Sequence, residues 1–408
     1  MRVTIADEPA VKDCGLRKGS PEDAVGGLVP AHVARPADTA ALGRVLKAAS
    51  EHGLTVVARG GGTAQDWGGP LRSLDLVLDL SDLVWIDHNA DDLVVEVGAG
   101  TPLAELRASL AASGQRLAHD PVRLGGTVGG ALATGVSGPR RLLSGTLRDL
   151  VIGMTVVRAD GTVARSGGRV VKNVAGYDLA KLHTGGYGTL GVISSAAFRL
   201  HPVPHALRVL SARMTSTDRT EHALAALRAA AVEPAAVELE RHAEGPVHLH
   251  VVLEGTPDGL RPRVHATAEA LGGEPTVGEE LPDGWGLFPT EGTLALLTTP
   301  PAESVATATL VGEHCKAWGI DAHVRGSAPS GTLWVSFPPG TGAEQIATVA
   351  DSMRTGRRTF TLLRSEAHVR AAGIDPWGTI PGLALMRAVK DSFDPDHRLA
   401  PGRFAGGI

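Results

Sequence analysis

Three consecutive glycines, Gly60, Gly61 and Gly62, follow the run Leu54-Thr55-Val56-Val57-Ala58 and Arg59, and Thr63 comes directly after them. The β-branched run reads as a strand, so the chain leaves a strand through three positions without a Cβ. Such backbone can turn at positive φ and lets a ligand or another segment approach closely. Successive amide N–H groups there converge into an anion-binding nest, for which a diphosphate has the fitting shape and charge. Four or five charge-assisted bonds of about 1.5–3 kcal/mol each would supply much of a nucleotide's affinity, and the Thr63 hydroxyl adds a further donor. The bland alternative is a tight turn. The pattern is not a Walker loop, because no Gly-Lys-Ser/Thr follows, and not the spaced-glycine dinucleotide fingerprint.

A second cluster argues against mere turns. Gly125, Gly126, Gly129, Gly130, Gly135, Gly138 and Gly145 recur over residues 125–145, interleaved with Thr127, Thr134, Ser137 and Thr146. Thr127 can cap a helix starting at Val128, whose amino end would offer free donors and a positive dipole to a phosphate. Small side chains here leave room for a flat ring. With 52 glycines in 408 residues the chain exceeds the usual share of roughly 7%, yet its 43% hydrophobic content is that of a globular protein.

The pattern around these clusters alternates. Leu42, Val45, Leu46 and Ala49 share one face of a helix that Asp38 or Thr39 can cap and Gly53 can end. Thr101 and Pro102 open a second helix ending at Gly114. Residues 150–168 read as a hairpin turning at Asp160-Gly161. From about Leu207 glycine thins, and strands alternate with helices in a way that indicates an antiparallel sheet covered on one face. Leu383, Met386, Val389 and Lys390 align on a final helix before a Pro-rich tail.

Length alone suggests two or three domains. A net charge of -5 argues against nucleic-acid or polybasic membrane contacts, and no apolar run is long enough for a transmembrane helix. Cys14 and Cys315 are too few for a disulfide framework or a four-thiolate iron–sulfur cluster. With no apolar leader at the amino terminus, a cytoplasmic protein is expected.

The segments "ARGGGT", "GGTVGGALATG", "SGTLRDLVIGMTVVRADG", "GGRVVKNVAGYDLAKLHTGGYGTLGVI" and "FDPDHRLAPGRF" together resemble the vanillyl-alcohol-oxidase-type, or PCMH-type, FAD-binding family, and within it the FAD-binding subunits of bacterial glycolate oxidases. The resemblance implies an α+β fold: an N-terminal extension (1–27), a two-subdomain FAD-binding domain (28–205), an antiparallel α+β cap domain (206–380) over the flavin's open face, and a C-terminal helix and tail (381–408) returning to the FAD domain. It implies that Arg59 to Thr63 and Gly125 to Gly138 hold the pyrophosphate and flank the isoalloxazine ring. Gly145, Thr146 and Asp149 match family positions after the second loop, and Val192 and Ile193 those whose backbone meets the adenine or ribitol side. It further implies a 2-hydroxyacid substrate such as glycolate or D-lactate, a larger flavin subunit and an iron–sulfur subunit as partners, and attachment to the membrane only through those partners.

Departures from the family's pattern matter. The histidine that tethers flavin in some members just after the first loop is absent, since Thr63, Ala64 and Gln65 occupy that neighbourhood, so dissociable FAD is expected. The Gly-Asp-Gly-Asn-x-His and Gly-Glu-His-Gly elements of the catalytic relatives are missing too. His248 and His250 share one face of a strand with Leu249 on the other, and Glu313, His314 and Cys315 do not converge on one ion, so no metal site is expected. Oxidation of a 2-hydroxyacid needs a base for the hydroxyl proton and a cation for the carboxylate. Lys172, Tyr177, Arg140 with Arg141, and Arg403 are the candidates, each with a bland reading: Tyr177 as packing at a helix start, Arg140 as a solvated or phosphate-facing charge, Arg403 as a tail clamp. Two alternatives accompany the subunit reading, a stand-alone flavoenzyme for another alcohol or hydroxyacid and an assembly subunit with structural FAD.

Overall fold

The computed structural model describes residues 5, 8–169 and 176–408. The chain divides into two compact units, one of Met1–Val136, Thr146–Val203 and Thr379–Ile408, the other of Ser137–Gly145 and Pro204–Gly378.

The first unit is built on two main sheets. One has four strands in the order Arg17–Lys18, His32–Ala34, Leu76–Asp79, Val56–Arg59, with the last three parallel. Helix Thr39–Glu51 covers it, capped by the Asp38 carboxylate, which accepts from the Ala41 amide at 2.7 Å. Its buried stripe of Leu42, Val45, Leu46 and Ala49 packs with Val56, Leu76 and Leu78. The second sheet is antiparallel, in the order Ile86–Asn89, Val94–Gly98, Val192–Arg199, Val151–Val157, Val163–Gly167. The hairpin turns through Gly161 at φ +83. Leu106, Leu110, Val128, Leu132 and Phe198 form the core on this sheet.

The helix expected from Thr101 runs over Leu103–Ala111 with Pro102 at its cap position. Thr101 is not the cap: its hydroxyl donates to the Trp85 carbonyl at 3.2 Å and accepts from the Trp85 amide at 3.3 Å, tying two strands' ends instead.

The C-terminal segment is stitched into the first sheet. The Val56 amide donates to the Arg398 carbonyl and the Ala400 amide to the Val56 carbonyl, both at 2.8 Å. Helix Leu383–Phe393 is anchored by Lys390, fully buried, whose ammonium donates to Asp394 at 2.6 Å and to the carbonyls of Thr189 and Leu399. A buried cation with three acceptors is satisfied; the same cation missing one partner would be costly.

The second unit is one antiparallel sheet of eight strands, with Ala206–Met214, Val247–Gly255, Ala236–His242 and His323–Ser327 in its middle. Alternation decides its faces. Leu249, Val251 and Leu253 enter a core shared with helices Thr217–Ala229, Pro257–Leu271, Ser304–Ala317 and Ala343–Met353. His248 and His250 point the other way, their rings 6.5 Å apart. There Glu240 lies 2.7 Å from His323 and 3.6 Å from His250.

Candidate functional site

The triple glycine proves necessary for a reason its neighbours in sequence do not show. A Cβ on Gly60 would sit 2.2 Å from the Thr127 hydroxyl, and one on Gly61 2.1 Å from the Gly125 carbonyl oxygen. The first glycine loop is thus stacked on the second, and at those two positions the missing side chains make room for protein. Gly62 has open space around it but takes φ +71, where L side chains are strained. Among the described residues, no protein acceptor takes the amide hydrogens of residues 60–63. Residues 60–63 line a cleft in this unit.

In the second cluster the helix spends its first donors, while among the described residues the amides of Gly125, Gly126 and Thr127 have no protein acceptor. Thr127 caps the seven-residue helix Val128–Thr134 by accepting from Gly130 at 3.3 Å. The Val128 amide donates to the Thr101 carbonyl at 3.0 Å and the Gly129 amide to the Ala99 carbonyl at 2.8 Å. The expected helix-terminus anion site is therefore corrected: those N–H groups hold the helix against the second sheet.

Of the expected cofactor residues, Gly60, Gly61, Gly62, Thr63, Gly126, Thr127, Gly129, Gly130, Thr134, Val192 and Ile193 line the cleft. Gly125 lies beneath Gly61. Arg59 contributes backbone; its guanidinium is held by Asp23 and Asp79, each at 3.2 Å. Asp23, clamped also by Arg17 at 2.7 Å, has its carboxyl held well below the usual range, chiefly by that guanidinium. Gly135 ends the helix at φ +65 against Gly185. Thr146 and Asp149 close a capping box for helix Leu147–Leu150, with two 2.8 Å bonds. Ser137, Gly138 and Gly145 belong to the second unit.

The four expected catalytic residues separate. Arg403 lines the cleft, but its guanidinium donates to the carbonyls of Gln65 at 2.7 Å and Trp67 at 2.6 Å, clamping the tail to the first loop. Arg140, in the second unit, pairs with Glu254 at 2.7 Å. Tyr177 is 91% exposed. Lys172 lies outside the described residues.

Sequence reasoning missed His119, Arg123 and Tyr187, all lining the cleft. His119 is buried, and burial pushes its pKa down to about 4. Among the described residues neither of its ring nitrogens has a hydrogen-bond partner, so a neutral imidazole is presented to the cleft. Tyr187 sits at φ +53, with its amide on the Ala133 carbonyl and its phenol pKa raised by burial. The signal for the first two was their place, in "HDPVRLGG", directly ahead of a glycine cluster.

A nucleotide fits these residues: unspent amides for an anion, and Ala99, Ala131 and Ala133 in the lining, whose small side chains leave room for a planar ring. Comparisons agree. The chain is 42% identical over 123 residues to the glycolate oxidase subunit GlcE of Escherichia coli (strain K12), covering 30% of this chain and 35% of that protein. It is 35% identical over 179 residues to the D-lactate dehydrogenase of Archaeoglobus fulgidus, covering 44% of this chain and 40% of that one. The matches thus span well under half the length of these curated relatives. In fold, the chain superposes on an Acremonium strictum glucooligosaccharide oxidase with a TM-score of 0.68 at 17% identity, over 96% of this chain and 97% of that one. Residues 30–167 match the family model described as FAD binding domain.

Proposed function

We propose that this chain holds FAD non-covalently and serves an oxidoreductase acting on the CH–OH group of a small 2-hydroxyacid such as glycolate or D-lactate, beside a larger flavin subunit and an iron–sulfur subunit. The observation that carries the FAD part is the row of unspent amides at residues 60–63, which line the cleft. The substrate class and the partners are supported by the likeness to a glycolate oxidase subunit and a D-lactate dehydrogenase. Oxidation of such a substrate to the 2-oxoacid removes a hydride from carbon and a proton from oxygen. Bound FAD supplies the hydride acceptor.

The chain's own residues do the rest. The amides of residues 60–63 bind the anionic middle of the cofactor, Val192 and Ile193 wall the cleft with apolar surface, and the Arg403 clamp fixes the first loop. His119, neutral at physiological pH, is the cleft imidazole able to accept the hydroxyl proton. Non-covalent binding is supported by the lining, in which His119 is the one histidine among the described residues and no cysteine occurs. Acid precipitation should leave the yellow colour in the supernatant; colour in the pellet overturns this point.

A second reading, structural FAD in an assembly subunit, is favoured by one observation. An imidazole with a pKa near 4 is a weak base for an alcohol proton. The purified chain, given glycolate or D-lactate with and without its partner subunits, separates the two. Bleaching of this chain's flavin supports a redox role, and flavin that stays oxidised in every combination leaves it structural.

A further inference from the structure

Two arginines line the cleft, and they are used differently. Arg403 is bonded to carbonyls of the first loop, whereas the buried Nη1 of Arg123 has no acceptor, and among the described residues Arg123 has no carboxylate partner. Its guanidinium carbon stands 6.0 Å from the centroid of the Trp67 ring. That contact orients the plane of a cation but does not neutralise it. The Arg123 side chain is half-buried, but a buried N–H donor left without an acceptor costs free energy that a ligand acceptor would recover. The first loop poses the same demand, since the amides of residues 60–63, which line the same cleft, have no acceptors. Arg123 stands two residues before Gly125, whose carbonyl lies under Gly61.

We propose that Arg123 is the side-chain half of the anion site whose backbone half is residues 60–63, and that it meets the diphosphate of the dinucleotide. This rests on the FAD reading above. One anion answers both demands, and a guanidinium offers phosphate oxygens a planar two-pronged donor that an ammonium does not. The consequence is selectivity: Arg123 discriminates ligands that carry the diphosphate from those that carry only the ring.

The test uses the full chain, stripped of flavin, as wild type, R123Q and R123K, with FAD, ADP and riboflavin as ligands. Flavin fluorescence and calorimetry give the dissociation constants, and melting is followed without ligand. R123Q should weaken FAD and ADP by about 10- to 100-fold and leave riboflavin unchanged. R123K should recover part of the loss. Salt should weaken FAD binding more steeply in wild type than in R123Q, and the ligand-free R123Q should melt no lower than wild type, because the fold gives the buried Nη1 no acceptor to lose. Unchanged FAD affinity in R123Q, or an equal loss for riboflavin, overturns the proposal. So does a failure of both variants to fold without ligand, which would make the guanidinium a structural prop. Wild type that refuses FAD is a different failure, seen before any variant is made, and it removes the FAD reading itself.

Discussion

The first glycine loop and the helix that opens after the second have nearly the same run of small residues and opposite uses. In the first, the amides of residues 60–63 are left over after the fold is complete. In the helix, the amides of Val128, Gly129 and Gly130 are consumed by Thr101, Ala99 and the Thr127 hydroxyl, while those of Gly125, Gly126 and Thr127 just ahead of it have no protein acceptor among the described residues. Gly129 earns its place by packing, since a Cβ there would lie 2.8 Å from that of Ala99. Glycine therefore marks where backbone is approached closely, but only the destination of the N–H groups tells a binding site from a wall that supports one.

The largest effect should come from the point where the loops touch. Gly61→Ala places a methyl 2.1 Å from a backbone carbonyl that cannot swing away. It should abolish FAD binding and cost about 3 kcal/mol of stability, measured by flavin titration and urea unfolding. Gly62→Ala meets no atom within 4 Å and pays only for its φ of +71, about 1 kcal/mol, with FAD still bound. Wild-type FAD affinity in Gly61→Ala would mean that the loops do not stack.

Next in size is His119→Gln. If the imidazole accepts the hydroxyl proton, turnover should fall by at least about 100-fold while FAD affinity holds. Unchanged turnover removes His119 from the chemistry and strengthens the structural-FAD reading.

How much of this was legible depends on range. Helix Thr39–Glu51, with its Asp38 cap and buried stripe, follows from local pattern, and so do the hairpin at Gly161 and the opposed faces of His248 and Leu249. Residues 60–63 could be read as an anion nest because the signal is contiguous. What was hidden depends on distant partners. Gly125 beneath Gly61 and Glu254 beside Arg140 lie far along the chain, so the glycines' steric purpose and the arginine's ion pair left no local trace. Tyr177 stood next to a recognisable motif, yet it is 91% exposed. His119 and Arg123 sit in an irregular segment with no periodicity to draw the eye.

Acid sharpens the comparison between the cleft and the scaffold behind it. Burial lowers the pKa of His119, in the cleft, and of His183, packed against the Phe393 ring, to about 4 each. In the unfolded chain both titrate near 6.5. The unfolded state thus binds more protons between these values, so stability is full above about pH 6.5 and declines as pH falls toward 4, by about 3 kcal/mol per histidine. Urea midpoints taken across that window should fall with pH, and His119→Gln should flatten the decline by one histidine's share. A flat wild-type profile would mean that neither ring is kept neutral by burial.

The smallest effect is the most discriminating. A Cβ on Gly126 would find Leu103 at 3.6 Å, the Arg123 carbonyl at 3.7 Å and the Thr63 hydroxyl at 3.8 Å, all ordinary contacts, and its φ is not in the left-handed region. Gly126→Ala should therefore fold, gain up to about 1 kcal/mol from a stiffer unfolded chain, and bind FAD as wild type does if the second loop is only a wall. Should the folded variant lose FAD, the added methyl must be colliding with the ligand, since no protein atom stands in its way. Gly126 would then approach the cofactor more closely than any side chain allows, and the second loop would be part of the binding surface at that residue, despite having spent the donors of the helix that follows.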